Sequence, residues 1–229
     1  MKIVLLGGTG PSGIQCLTQC LSSGHSVIAV VRNPKKIPQD LSEHTHLAVV
    51  KANIFDPDSY SKEIVGSDLA ISCLGVTAFR DYWKTDFYSK SIIPIIDALR
   101  SAGVPRLVVM SSWATKNDGS NPFYVEWIIK PLVLGAVLRD IGSMEDWLME
   151  NVSNQDSDVS FTVLRCPGLV NTSQSEKEFK VGVNKNWLSD AKFWIARADV
   201  ARFIVSNFCT DLPEHELPYR NKIIALGVL

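Results

Sequence analysis

The strongest constraint on this chain lies in its first thirteen residues. A short apolar run, Lys2–Leu6, passes directly into Gly7-Gly8-Thr9-Gly10-Pro11-Ser12-Gly13 and then into helix-forming sequence. An almost wholly apolar run of this length is what a central parallel strand covered on both faces requires. Gly7 and Gly10 let the backbone turn tightly and leave room for an anionic group to approach the main chain, while Gly13 permits close helix–strand packing. The N–H groups at the start of the next helix, with the hydroxyls of Thr9 and Ser12, would hold that anion. Glycine spacing alone is weak evidence, and the strand before it and the helix after it give it weight.

The rest of the chain continues the alternation. The patterning predicts a helix over 14–23 closed by Gly24, strands over 26–31 and 47–50, and a brief helix over 56–63. A strand over 69–74 follows, then a helix over about 86–102 that Pro94 should kink. Strands at 107–110, 159–165 and 222–226 and helices at 131–150 and 198–208 complete the set. Strands alternating with helices imply an α/β fold: a Rossmann-type doubly wound parallel sheet with right-handed crossovers. The polar, aromatic-rich stretches between the fifth and sixth strands and at about 171–194 should form a small substrate cap over the carboxyl ends of the strands.

The 229 residues are enough for one substantial core, so residues 1–229 are expected to be a single domain. A net charge of −1 argues against nucleic acid as a partner. No apolar stretch approaches the roughly 18 residues of a membrane span, and the apolar start is too short for a signal peptide. The five cysteines contain no CxxC pair and no metal-ligand spacing with His25, His44, His46 or His215. No metal is expected, and reduced thiols in a cytoplasmic protein are. Cys16 and Cys20 read as small apolar core residues.

Arg32 ends the second strand, nineteen residues after Gly13. A site for NAD usually carries Asp or Glu there to bind the ribose 2′-hydroxyl, whereas Arg accommodates the 2′-phosphate of NADP. Lys35 and Lys36 add positive charge nearby, and the expected cofactor is NADP(H).

These residues, with Val30-Val31-Arg32-Asn33, Ser72-Cys73-Leu74-Gly75, Val109-Met110-Ser111-Ser112 and Arg165-Cys166-Pro167-Gly168, resemble in order and spacing the atypical short-chain dehydrogenase/reductase family. The resemblance runs over nearly the whole chain and is nearest to the branch of flavin and biliverdin reductases and NmrA-like proteins. It implies that Asn53 and Ile54 lie beside the adenine and that Cys73, Leu74 and Gly75 line the ribose side. It also implies that Ser111 and Ser112 end the fifth strand near the nicotinamide, with Pro167, Gly168 and Leu169 closing over it. Tyr88 would face the substrate opening.

Two departures narrow the chemistry. Tyr82, Tyr88 and Tyr124 are each followed four residues later by something other than Lys, so the Tyr-x-x-x-Lys acid–base pair is absent. Gly168 stands where the resembled reductases carry a histidine. A missing general acid typically forfeits about 10²–10⁴ in rate, which disfavours reduction of an unactivated ketone. Flavin-like, quinone-like or tetrapyrrole acceptors take hydride onto an electron-poor ring, and water can supply the proton. Ser112, then Ser111, is the candidate for positioning such a planar aromatic substrate. Trp113 is the aromatic residue singled out for contact with it, from a set that includes Phe123, Tyr124, Trp127, Trp187 and Trp194. Arg80, Asp81 and Lys84 read as a solvated loop, as does 154–158.

The sequence keeps alternatives open. One is an NADP(H)-binding sensor of the NmrA-like type without turnover, and another, disfavoured by the short C-terminal region, is an isomerase or epimerase. The chain could act as a monomer or a homodimer, and the surplus apolar strip on 131–150 could be core or interface.

Overall fold

The computed structural model describes residues 1–76, 84–153, 158–212 and 216–229. Arg80, Asp81, Tyr82, His215 and residues 154–157 of the polar tract lie outside them, so the expectations for those positions go no further.

Eight strands form one sheet in the order β3-β2-β1-β4-β5-β6-β10-β8. They are β1 (Lys2–Leu6), β2 (Ser26–Val31), β3 (Leu47–Lys51), β4 (Leu69–Ser72), β5 (Arg106–Ser112), β6 (Ser160–Cys166), β8 (Phe179–Val183) and β10 (Lys222–Val228). The first six strands of that order have the 3-2-1-4-5-6 arrangement of a dinucleotide-binding sheet. All pairings are parallel except β10 with β8, which closes that edge antiparallel. Two short strands, β7 (Gly168–Val170) and β9 (Trp194–Ala196), pair separately above the main sheet.

Both faces of the sheet are covered, and β1 shows why its sequence is continuously apolar. Ile3 and Leu5 face the core beneath α1 (Pro11–Ser22) and α5 (Arg197–Phe208), where Cys16 and Cys20 are also buried. Val4 and Leu6 face the opposite core beneath α3 (Phe87–Ala102) and α4 (Gly135–Asn151). Alternation sends successive side chains to opposite sides, and both sides are dry.

Several predicted elements differ from the structure. The helix expected over 56–63 is a single 3₁₀ turn, Pro57–Ser59; with Tyr60 as the one large apolar side chain of the segment, little is there to extend it. The helix expected over 131–150 begins earlier. A wide π-helical segment, Val125–Leu134, runs into α4 through Pro131, a residue whose missing N–H a wider hydrogen-bond pattern tolerates. The remaining short helix, α2 (Gln39–Ser42), precedes β3. Helix α3 continues through Pro94. The stretch 171–194, expected to be irregular, contributes β8 and the start of β9. The surplus apolar strip on 131–150 divides: Val137, Ile141, Met144 and Leu148 of α4 are core, whereas Leu132 of the π-helical segment is exposed, as are Trp127 and Ile128 before it.

Candidate functional site

The turn after β1 is built by close approach. Gly7 has φ +80, and a Cβ there would lie 2.8 Å from the carbonyl oxygen of Cys73, so both conformation and space demand glycine. Gly10 N–H donates to Gly7 O at 3.0 Å, and Gly10 caps α1 with Pro11 as the first helical residue. A Cβ at Gly13 would collide with Gly7 O, so this glycine seats the helix on the strand. The N–H groups of Ser12 and Gly13 belong to the first turn, which a helix leaves without intrahelical partners.

Three adjoining cavities open along the carboxyl ends of the strands. The first, of about 230 Å³, lies over β1, β2 and β4. Gly7, Thr9, Gly10 and Arg32 line it, with Asn53 and Ile54 on one wall and Cys73, Leu74 and Gly75 on the other. Lys36, not Lys35, completes its basic end. The main-chain N–H of Lys35 donates to Asn33 Oδ1, in a 3₁₀ turn that directs the next residue to the cavity. Phe55 and Phe87 also line it, their rings edge to face at 5.9 Å. Gly8 is absent from this wall and packs instead over Leu5.

The second cavity, of about 500 Å³, shares Gly10, Cys73, Leu74 and Gly75 with the first. Pro11 and Ser12 stand at one end, and Ser111, Ser112, Pro167, Gly168 and Leu169 at the other. Tyr88 also lines it, and its hydroxyl accepts from the N–H of Val76 at 3.3 Å. Arg197, the first residue of α5, reaches the same wall and donates to Leu169 O and Asn171 Oδ1. Burial pushes the Cys166 thiol up, and for Cys16 the hydrogen bond from Cys73 and then burial do the same. Both stay neutral thiols, Cys166 as part of the cavity wall and Cys16 in the core behind it, and neither is a nucleophile.

The third cavity, of about 300 Å³, shares Ser112, Leu134, Leu138, Pro167 and Gly168 with the second. Its remaining wall is largely aromatic. Rings run in contact from Trp113 to Trp187 (4.8 Å), Phe193 (5.7 Å) and Trp194 (4.9 Å). Trp113 lies at the wall but is only 3% exposed, and its Nε1 donates to Leu226 O. It is mainly a core residue, and Trp194, at 57% exposed, is the ring most open to a ligand. Phe123, Tyr124 and Trp127 are exposed on the outer surface and line none of the three cavities.

The two serines differ. Ser111 donates to Glu145 Oε1 at 2.5 Å, so its hydroxyl belongs to a buried cluster, whereas Ser112 lines both the second and third cavities. In that cluster Arg165 grips Glu145 through Nε (2.9 Å) and a second guanidinium nitrogen (2.6 Å). Thr115 donates to the other carboxylate oxygen at 2.9 Å. Arg165 and Glu145 were readable as a signal without a role. Arg165 is a charge inside an apolar strand, and Glu145 shares the helical face of Ile141 and Leu148. Phe55, Phe87 and Arg197 were missed because their membership depends on which elements meet, while Lys36 and Trp194 were named only as a nearby charge and as one of the aromatic set.

Among the described residues no group of three or more His, Cys, Asp or Glu side chains is placed to hold a metal ion, and no helix is long and apolar enough to cross a membrane.

Comparison with known proteins agrees with this geometry. A family model described as NAD(P)H-binding matches residues 7–210. An uncharacterized chloroplastic protein of Arabidopsis thaliana is 28% identical over 181 residues, 74% of this chain and 60% of that protein, so the match leaves much of the relative's length unspanned. A short-chain dehydrogenase/reductase from Veillonella parvula, solved in complex with NADP, superposes with a TM-score of 0.76 at 16% identity, covering 99% of this chain and 94% of that one. An anaerobilin reductase from Escherichia coli O157:H7 superposes with a TM-score of 0.73 at 19% identity, covering 99% and 97%. At these identities the two solved structures establish a shared fold.

Proposed function

Because this chain belongs to the NAD(P)H-binding family, we propose that it is an NADPH-dependent reductase of a planar, conjugated acceptor that is flavin-like, quinone-like or tetrapyrrole in nature. The observation that carries the reading is the continuity of the three cavities: a basic, glycine-floored trough leads past Ser112 into an aromatic lobe. The residues present fit a dinucleotide. Gly10 lines the trough with no side chain, the first-turn N–H groups of α1 point to an anion site, and Arg32 with Lys36 offers two cations where a 2′-phosphate would lie.

When bound, NADPH supplies the hydride. The work of the chain is then to hold two rings face to face, which contributes through orientation rather than acid–base chemistry. Pro167, Gly168 and Leu169 form one wall of the central cavity and Tyr88 another, while Ser112 stands at its junction with the aromatic lobe and is the group for positioning the acceptor. No Tyr-x-x-x-Lys pair stands ready to donate a proton, so an acceptor protonated by water fits this site best.

Turnover decides between this reading and an NADP(H) sensor, which the capture of the Ser111 hydroxyl by Glu145 favours. Purified protein is mixed with NADPH and FMN or dichlorophenolindophenol, and the nicotinamide absorbance is followed. Oxidation of NADPH that slows in Ser112→Ala is the expected result. Tight NADPH binding with no oxidation across a panel of acceptors would establish the sensor instead.

A further inference from the structure

The aromatic lobe narrows the acceptor beyond the reductase reading on which this inference rests. Gly168 of β7 pairs in register with Trp194 of β9, and Gly168 N–H donates to Phe193 O. A Cβ at residue 168 would overlap the Trp194 indole, so the absence of a side chain there is what lets this ring lie against Gly168, which lines both the second and the third cavity. The proton-donating side chain that the position could have carried is thus exchanged for a flat surface. Among the described residues, no charged side chain lines the lobe, and apart from the tryptophan indoles its one polar side chain is the Ser112 hydroxyl. The indole N–H of Trp113 is already committed to Leu226 O.

We infer that the acceptor is an uncharged, compact, flat ring system of the quinone class, stacked on Trp194, and that the Gly168–Trp194 contact determines this specificity. A lobe of about 300 Å³ is at the small end of ligand sites and suits fused rings rather than four linked pyrroles. A carboxylate or phosphate drawn into it would lose hydration without gaining a cation. A quinone carries only two carbonyl oxygens, and Ser112 stands where one of them would meet a hydroxyl. Two-electron reduction of the ring adds the hydride from NADPH and one proton from water, giving the hydroquinone and NADP⁺ with no other reactant.

The experiment compares 2-methyl-1,4-naphthoquinone, FMN and biliverdin at saturating NADPH. The naphthoquinone is expected to exceed both others at least tenfold in kcat/KM. Trp194→Ala should raise its KM about five- to tenfold, the scale of one lost aromatic contact, with NADPH affinity unchanged, and Trp194→Phe should stay within about twofold of the parent. Unchanged NADPH affinity also reports that the variant folds. Preference for FMN or biliverdin, or a naphthoquinone KM insensitive to Trp194→Ala, overturns the inference while the reductase reading stands. If NADPH binds and no acceptor is reduced, the reductase reading fails, and saturable quenching of tryptophan fluorescence by the naphthoquinone tests the lobe alone. Its midpoint should rise in Trp194→Ala, and absence of saturable quenching overturns the inference.

Discussion

Arg32 follows directly on β2, exposed beside Lys36 at the end of the first cavity. A hydrogen bond to a charged partner is worth roughly 1.5–3 kcal/mol net, about tenfold to a hundredfold in affinity. Arg32→Ala is therefore expected to weaken NADPH binding by that factor and to leave NADH nearly unchanged, as read by equilibrium titration with both nucleotides. Equal losses for the two would remove the basis for preferring NADPH. The sequence places Lys35 and Lys36 alike beside Arg32, and of the two it is Lys36 that lines the cavity. Which of two adjacent lysines turns inward depends on the 3₁₀ turn Pro34–Lys36, a detail of φ and ψ that composition does not carry.

At the scale of elements, the start of α3 matters most because it holds Tyr88 at the cavity wall. Asp86 is its N-cap residue, yet the Asp86 side chain makes no capping bond. The cap comes from another helix. Asp140 of α4, 5% exposed, accepts from the N–H groups of Tyr88 (2.9 Å) and Ser89 (3.1 Å) and from the Ser89 hydroxyl (2.5 Å). Removing it leaves buried donors unpaired at a helix terminus where negative charge is favoured. Asp140→Ala should cost about 2–3 kcal/mol in urea unfolding and weaken acceptor binding through Tyr88, whereas Asp86→Ala should leave the unfolding midpoint close to that of the parent. Comparable losses for the two would show that α3 is capped locally. The π-helical segment teaches the same lesson. Its residues have ordinary helical periodicity, and the wider winding follows from running through Pro131 while reaching over the cavity.

Across the whole molecule, the Arg165–Glu145 pair ties the sheet to α4 and, through Thr115 and Asn186, to the loops above the site. Asn186 accepts from the N–H of Lys116 and donates to Asn121 Oδ1, so one buried cluster fixes the end of β5 and the cap together. Breaking a buried pair strands a charge, and Arg165→Met alone should destabilise by about 3–5 kcal/mol. The double variant Arg165→Met with Glu145→Leu should recover most of that loss, because two apolar residues need no desolvation compensation. Denaturant unfolding of the single and double variants completes the test. A double variant as unstable as the single one would mean the pair stabilises in its own right.

The glycine loop, the βαβ alternation around it and the basic residue after β2 were determined by the sequence alone. Each is a local requirement: a missing Cβ, a run buried on both faces, a charge one residue past a strand. Residues 26–31 were bounded to the residue because a parallel strand buried on both faces is read directly from apolar continuity. The aromatic lobe, the carboxylate that caps α3, the Arg165–Glu145 pair and the antiparallel edge strand β8 were decided only by tertiary structure. Each joins residues far apart in the chain, such as Gly168 with Trp194 or Arg165 with Glu145, whose spacing follows from how layers stack rather than from any periodicity. The chain writes its nucleotide loop into thirteen consecutive residues, and assembles the place for its acceptor from elements that meet only when the sheet has formed.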